Sequence, residues 1–578
     1  MNDQQNAGSY PNGTGHRMLT GTPSPACLGF NSTRASAVIL VRAIVATVFA
    51  LLVCAPSQSM AQAKAPILQE LSIASSKADD NGSAETVAYL KNGRQLLLSN
   101  SGANSGANSG ANSGANSGPN SGAKGSVDVY SIKDPAKPEF KRTLKLDGPV
   151  QSVAARNNLI AVAVANPIIT KPGKVVFFGR GGETLASFDV GALPDMVTFS
   201  PDGNMLLVAN EGQAKDGIDP EGSISIIHLK DGLANAEVET LRLNKWDGKE
   251  EELRFAGIRI FPGKICSRDF EPEYITVAPD SSVAWVSLQE ANAVLEIRLE
   301  DRHLELLPCG MVDFNSPQTA IDPSDQDGKT ELRPVPVRGM RMPDALACFT
   351  IRNAHYIVTA NEGDARDEDM RVADLPLDPK AFKSDLSASN QIGRLVVSSL
   401  DGDLNKDGMY ERLHAYGSRS FSVFHCAPGI GSWSLVFDSQ NQFERITLDQ
   451  NPKHFNADNT VTTTGKTKAD MRSDNKGPEP EAACIGRIGN RTYAFIGLER
   501  AGGIMMYDVT VPTQTRFITY VNDRHHLGPE DIDFISAEDS PDGKPLLAVA
   551  HEISGEVVLY RINAPKDAST LVDEIKSR

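Results

Sequence analysis

The chain has 578 residues, with 57 Lys and Arg against 73 Asp and Glu, and a formal charge of −16 at pH 7. So acidic a polypeptide repels nucleic acid and anionic lipid, which excludes both as expected partners and favours cation binding. Seven cysteines over this length, none in a C-x-x-C pair, exclude a disulfide-framed scaffold.

Residues 1–63 read as a leader and a secretory signal peptide. The stretch 37–63 holds Arg42, an apolar run and the small-residue end Ala61-Gln62-Ala63, which fits an A-x-A cleavage site. The run is short for a bilayer span, so no stable span is expected after cleavage. Met18 is an alternative start. Arg17, Arg34 and Arg42 against Asp3 give the leader +2, which leaves −18 on the mature chain. The expected location is extracytoplasmic, periplasmic or secreted.

The mature chain, 64–565, is predicted to be all-β, a β-propeller, with a polar tail at 566–578. The signal is a repeated hairpin that opens on Pro plus a carboxylate and closes on a carboxylate after an apolar run. It reads PDMVTFSPDGNMLLVANE at 194–211, PEYITVAPDSSVAWVSLQE at 272–290 and PDALACFTIRNAHYIVTANE at 343–362. It returns as PEAACIGRIGNRTYAFIGLE at 480–499 and PEDIDFISAEDSPDGKPLLAVAHE at 529–552. Weaker copies at 85–100 and 149–166 precede these. Between them, 99–124 is an SGAN repeat with no apolar side chain to bury, read as a loop insertion within one blade. After each hairpin come further strand-like runs, such as VLEIRLE and LELLPCGMV, which complete a four-stranded meander. Seven blades are expected. Eight is the alternative, because the 137 residues between Asp344 and Glu481 have room for one more. ILQELSIAS at 67–75 is predicted to pair with the final VVLYRI and close the ring.

In an antiparallel hairpin the start of one strand lies beside the end of the next. Both acids of each copy therefore fall at one end, opposite the turn, and around one mouth of the central channel. The candidate metal ligands are Asp195, Glu211, Glu273, Glu290, Asp344, Glu362, Glu481, Glu499, Glu530 and Glu552. So many carboxylates cannot converge uncompensated, and Arg partners, protons or hard cations must relieve them. Arg338, Arg341, Arg366, Arg419, Arg472 and Arg500 are the candidate partners. Oxygen donors favour Ca²⁺ first, with Mg²⁺ or Mn²⁺ as alternatives. The rival reading is that each acid caps backbone N–H groups of its own blade. A second candidate is DGDLNKDGMYE, where Asp403, Asn405 and Asp407 alternate before Gly408 as in the first half of an EF-hand loop. A solvated acidic turn is its plain alternative.

Several long motifs resemble one family. VANEG…IDPEGSISII, EPEYITVAPD, IVTANEGDARD, GSRSFSVF, SDNKGPEPE, AFIGLERAGG and PLLAVAHEISGEVVLYRI are similar to the choice-of-anchor I family, which includes mesenchyme-specific cell surface glycoprotein-like proteins. The resemblance runs from about residue 67 to 563 and implies an extracytoplasmic propeller with a poorly defined activity. Some members are labelled alkaline phosphatases. The chain departs from the family pattern at Ala482-Ala483-Cys484 and at His551, where Asn is usual.

Two functions follow as expectations. One is a binding or surface-interaction propeller that holds divalent cations at the acidic mouth and meets an extracellular ligand. The alternative is a metal-dependent phosphatase or phosphodiesterase acting on a phosphoester at the same site, with Arg419 and Arg500 as anion holders and His525, His526 or His551 as a proton carrier. No nucleophile elbow, P-loop or H-E-x-x-H motif occurs in the chain.

Overall fold

The computed structural model describes residues 67–77, 84–102, 124–366, 368–427, 433–458 and 468–563. The expected signal peptide, most of the SGAN insertion and the C-terminal tail lie outside them. Seven four-stranded antiparallel sheets follow one another along the chain. Blade 1 spans 87–145, blade 2 150–192, blade 3 194–242 and blade 4 272–308. Blade 5 spans 346–438, blade 6 480–521 and blade 7 529–563. The first strand of each sheet touches the first strand of the next, and blade 7 touches blade 1, so the sheets form a closed ring. Ile67–Ser75 pairs antiparallel with Glu556–Asn563 as the outer strand of blade 7, the closure read from the sequence.

The sequence of the middle strands explains the stacking. LIAVAV in blade 2 is apolar at every position instead of alternating. Each face of a blade is buried against a neighbour, so both sets of side chains must be apolar. Ile160 and Val162 join the core shared with blade 1, while Ala161 and Ala163 join the core shared with blade 3. Each of the other interfaces has a cluster of its own. Outer strands such as EVETLR, Glu237–Arg242, are largely exposed and polar.

The long interval after Asp344 holds one blade and not two. Leu346–Ile351, Ala354–Asn361, Ser420–Cys426 and Trp433–Asp438 form blade 5, with residues 362–419 inserted after its second strand. That insertion and the 309–345 connection are more than loops. Met311–Asp313, Arg338–Met340 and His414–Ala415 make one small sheet, and Asp369–Arg371 with Val396–Ser398 another. Val312, Phe314, Val335, Leu395 and Val397 give this cap an apolar core. Met311 and Val312, read as the end of a blade 4 strand, belong to it. The five cysteines of the described residues are free, and all are buried or half-buried.

Candidate metal centre

The repeated Pro-acid step becomes a repeated backbone device. The inner strands of blades 3, 4, 6 and 7 begin with Pro194, Pro272, Pro480 and Pro529, and each has a β-bulge just after it. Proline has no N–H to give the ladder, so it tolerates a strand start. The bulge then turns the following side chain out of the normal alternation. That side chain is Asp195, Glu273, Glu481 or Glu530, and in blade 2 the bulge carries Gln151. Leu193 and Glu479, before two of these prolines, and Met342, before Pro343 of blade 5, hold left-handed φ of 47°, 52° and 44°. Non-glycine residues adopt this region at a cost. The carbonyl so placed accepts the N–H of the second acid, Glu211 on Leu193 at 2.9 Å and Glu499 on Glu479 at 2.8 Å.

The second strands end on another shared element. Asn210 donates to Ser223 and Ser225, and Asn361 to Ser420 and Ser422, which fastens strand two to strand three. His551 takes this place in blade 7, opposite Glu556. It is buried, neither ring nitrogen has a hydrogen-bond partner, and burial pushes it down to about 3. It is therefore neutral at physiological pH.

The acids form two tiers. In the outer tier, at the ends of the second strands, cations are close. Glu362 Oε1 lies 2.5 Å from Lys476 Nζ, Glu499 2.8 Å from Arg500 and Glu290 3.7 Å from Arg366. Further salt bridges join Arg366 to Glu271 and Asp269 at 2.8 Å each, and Arg472 to Glu479 at 2.6 Å. The inner tier is Asp195, Glu273, Asp344, Glu481 and Glu530. Among the described residues these five make no ion pair to Lys, Arg or His. Burial, and then mutual repulsion, raises Glu273, Asp344, Glu481 and Glu530 well above the usual carboxylate range. Burial alone raises Asp195 to about 6, against a hydrogen bond from Gln151. The repulsion crosses blades: Glu273 feels Asp344 and Asp195, and Glu481 feels Glu530 and Asp344. Glu273 Oε2, Glu290 Oε2 and Glu481 Oε2 are buried and accept no hydrogen bond.

Acids converge between blades 5 and 6. One oxygen each from Asp344, Glu362 and Glu481 lie within 4.8 Å of one another, as do oxygens of Glu362, Glu479 and Glu499. Carboxylates grouped this way fit a hard divalent cation, which takes oxygen donors at about 2.0–2.6 Å. Next along the blade 7 inner strand, the Tyr274 hydroxyl of blade 4 reaches Asp531 from across the ring. Asp531 and Asp533 accept the N–H groups of Val87 and Tyr89, which ties the last blade to the first.

Other residues singled out in the sequence lie elsewhere. Asp403, Asn405 and Asp407 sit in the blade 5 insertion, in a turn where Asp403 accepts the N–H groups of Asp407 and Gly408. Asp403, Asp407 and Glu411 still bring one oxygen each within 4.8 Å. Arg419 is buried, and its guanidinium donates to Glu444 and to the carbonyls of Asp322, Ser473 and Asn475. Those bonds place it as a brace of the cap. Arg341 is likewise committed to Asp438 and Ser422. Arg338 lies in the cap sheet, and Arg366, Arg472 and Arg500 are at the mouth. Lys476, Glu479, Glu271 and Asp364 were not anticipated. The sequence signal for two of them is E-P-E, at 271–273 and 479–481.

A family profile described as the choice-of-anchor I domain matches residues 117–512. The chain belongs to the choice-of-anchor I family. Gigasin-3a of Magallana gigas is 30% identical over 188 residues, covering 30% of this chain and 64% of that protein. Mesenchyme-specific cell surface glycoprotein of Strongylocentrotus purpuratus is 24% identical over 282 residues, covering 43% of this chain and 36% of that protein. The choice-of-anchor I chain thus spans less than two thirds of both curated relatives. Among solved structures, the Cps50 (Swd1) β-propeller domain of Myceliophteria thermophila superposes with a TM-score of 0.43 at 7% identity. That match covers 86% of this chain and 100% of the other.

Proposed function

We propose that this choice-of-anchor I propeller is an extracytoplasmic surface-interaction protein that holds a divalent cation, Ca²⁺ above all, at its acidic channel mouth. The supporting observation is the inner tier: five acids without ion-pair partners among the described residues, four of them placed by bulges, two with a buried oxygen that accepts no hydrogen bond. A cation relieves the repulsion and supplies the missing ligand at once. Asp344, Glu362 and Glu481 are its first ligands, and blade 2, with Gln151, contributes least. The extracellular setting rests on the family and on the cell surface name of one relative. No described helix is long and apolar enough to cross a membrane.

A phosphoester hydrolase is the second reading, and Arg500 and Lys476 beside the acids favour it. Both basic residues are already engaged by Glu499, Glu362 and Glu479, which keeps it second. Calorimetric titration with Ca²⁺, on the full chain and on Glu481→Gln and Asp344→Asn, tests the cation. The expected result is one or more sites weakened at least about tenfold in each variant. Unchanged affinity in both overturns the assignment. Turnover of p-nitrophenyl phosphate or its bis-ester with Ca²⁺ or Mn²⁺, lost in Glu481→Gln, would replace the binding reading with the hydrolytic one.

A further inference from the structure

A different set of ligand-type side chains meets where the ring closes, and it shares no residue with the channel mouth. Glu70 belongs to the closing strand and stands at a bulge between Glu70 and Ser72. Asp523 and His526 come from the connection between blades 6 and 7, and Glu556 opens the third strand of blade 7. One oxygen each of Glu70 and Asp523 and one ring nitrogen of His526 lie within 4.8 Å of one another. His526 is buried, while Glu70 and Asp523 are exposed, which leaves an ion a path from solvent.

The hydrogen bonding fits a metal-ligating histidine. His526 Nδ1 lies 2.7 Å from Glu556 Oε1, and Nε2 faces Glu70 Oε2 at 3.3 Å. A carboxylate that accepts from one ring nitrogen fixes the tautomer and turns the other nitrogen's lone pair outward, the usual arrangement behind a metal-bound imidazole. The lone pair then points at a carboxylate, which is unfavourable unless a cation or a proton lies between. A second, independent sign is His551. Its side chain is 1% exposed, its ring centroid is 5.5 Å from that of His526, and both its nitrogens lack a partner. Water bound to an ion at His526 would give the unprotonated one of those nitrogens a donor.

We propose that His526, Glu70 and Asp523 form a second cation site, for a divalent transition ion of the Zn²⁺ type, with Glu556 orienting His526. Nitrogen with carboxylate oxygen suits such ions, whereas the all-oxygen mouth suits Ca²⁺. Its ligands come from the closing strand and from the blade 6–7 connection, so the ion staples the N-terminal strand onto the last blade. The competing account is an imidazolium bridging Glu556 and Glu70 with no metal.

Zn²⁺ titration against a competing chelator, on the full chain with millimolar Ca²⁺ present, separates them. Expected are a Zn²⁺ site lost in His526→Ala and Glu70→Gln, weakened ten- to a hundredfold in Glu556→Gln, and unchanged in Glu481→Gln. Zn²⁺ should also raise the Tm of the unmodified chain and not that of Glu70→Gln. Glu70 is exposed, so this variant folds even if His526→Ala does not. Absence of Zn²⁺ binding, or binding equal in the unmodified chain and Glu70→Gln, overturns the site and leaves the imidazolium bridge. Loss in Glu481→Gln would place the ion at the mouth instead.

Discussion

In blade 4 the bulge proline is flanked by Glu271 and Glu273, and in blade 6 by Glu479 and Glu481. The residues after the proline behave alike, and both carboxyls are raised well above the usual range by burial and repulsion. The residues before it do not. Glu271 has one cation, Arg366, which also serves Asp269 and Glu290, and burial with the Glu290 charge pushes it up to about 8. Burial opposes the charge on Glu479 too. There Arg472, Lys476 and Arg500 outweigh it and hold the carboxyl at about 2. The backbone device thus fixes where an acid points, and the count of neighbouring cations fixes whether it is ionised. Blade 6 presents a fixed anion, and blade 4 presents an exchangeable proton.

Glu479 is where the two blades differ most in stability. Glu479→Gln leaves buried Arg472 and Lys476 short of a counter-charge, and removing one partner of a buried ion pair typically costs about 3–5 kcal/mol. Urea unfolding in chelator should show a loss of that order. A loss below about 1 kcal/mol would mean that solvent screens the cluster.

The raised acids set a pH dependence of the opposite sign to ordinary ion pairs. Glu271, Glu499 and Asp195 have folded values of about 8, 7 and 6, all above the unfolded carboxylate range. Between pH 4 and 8 the folded state therefore holds more protons than the unfolded one. Metal-free stability must fall as pH rises through this window, by about 1.4 kcal/mol per pH unit for each proton exchanged. Ca²⁺ competes with those protons, so its affinity should rise over the same range. Unfolding and calorimetry at pH 5.5 and 8.0 check both signs, and a metal-free chain more stable at pH 8.0 would remove the argument.

Glu271→Gln is the counterpart of Glu479→Gln and should be nearly silent. A side chain that already carries a proton at neutral pH loses little as an amide, about 1 kcal/mol or less. Equal losses in the two variants would cancel the distinction between the blades.

Much of the fold was legible because each blade repeats one hairpin, and the repeat fixes strand direction, the acidic end and the closing strand. Only the first hairpin of blade 5 was, because 362–419 separates its second and third strands and a period hides behind an insertion. The cap was missed for a related reason: its strands are two or three residues long, too short to show a period. At the mouth, the acids on strands were readable from register. Lys476, Glu479 and Asp364 lie in connections, where spacing says nothing about which charge will face which. Arg419 looked available to an anion, and only the carbonyls around it reveal that its donors are occupied.

Gln151 gives the smallest effect and the finest test of where the cation sits. It occupies the blade 2 bulge as Glu481 occupies that of blade 6, and it donates a hydrogen bond to Asp195. Gln151→Glu replaces that donor with a second carboxylate and must raise Asp195 further above 6. If the ion is held between blades 5 and 6, the new charge acts only at long range. Ca²⁺ affinity should then change far less than a new ligand would change it, because the added carboxyl, buried beside Asp195, shares a proton with that acid and does not reach the ion. An ion on the channel axis would take the new carboxylate as a ligand and gain tenfold or more. The replacement of acids by Gln151, Asn100 and Asn166 in the first two blades, which keep Glu85, would then be a true loss of ligands from a shared site, and the asymmetry between early and late blades would have to be explained by binding strength.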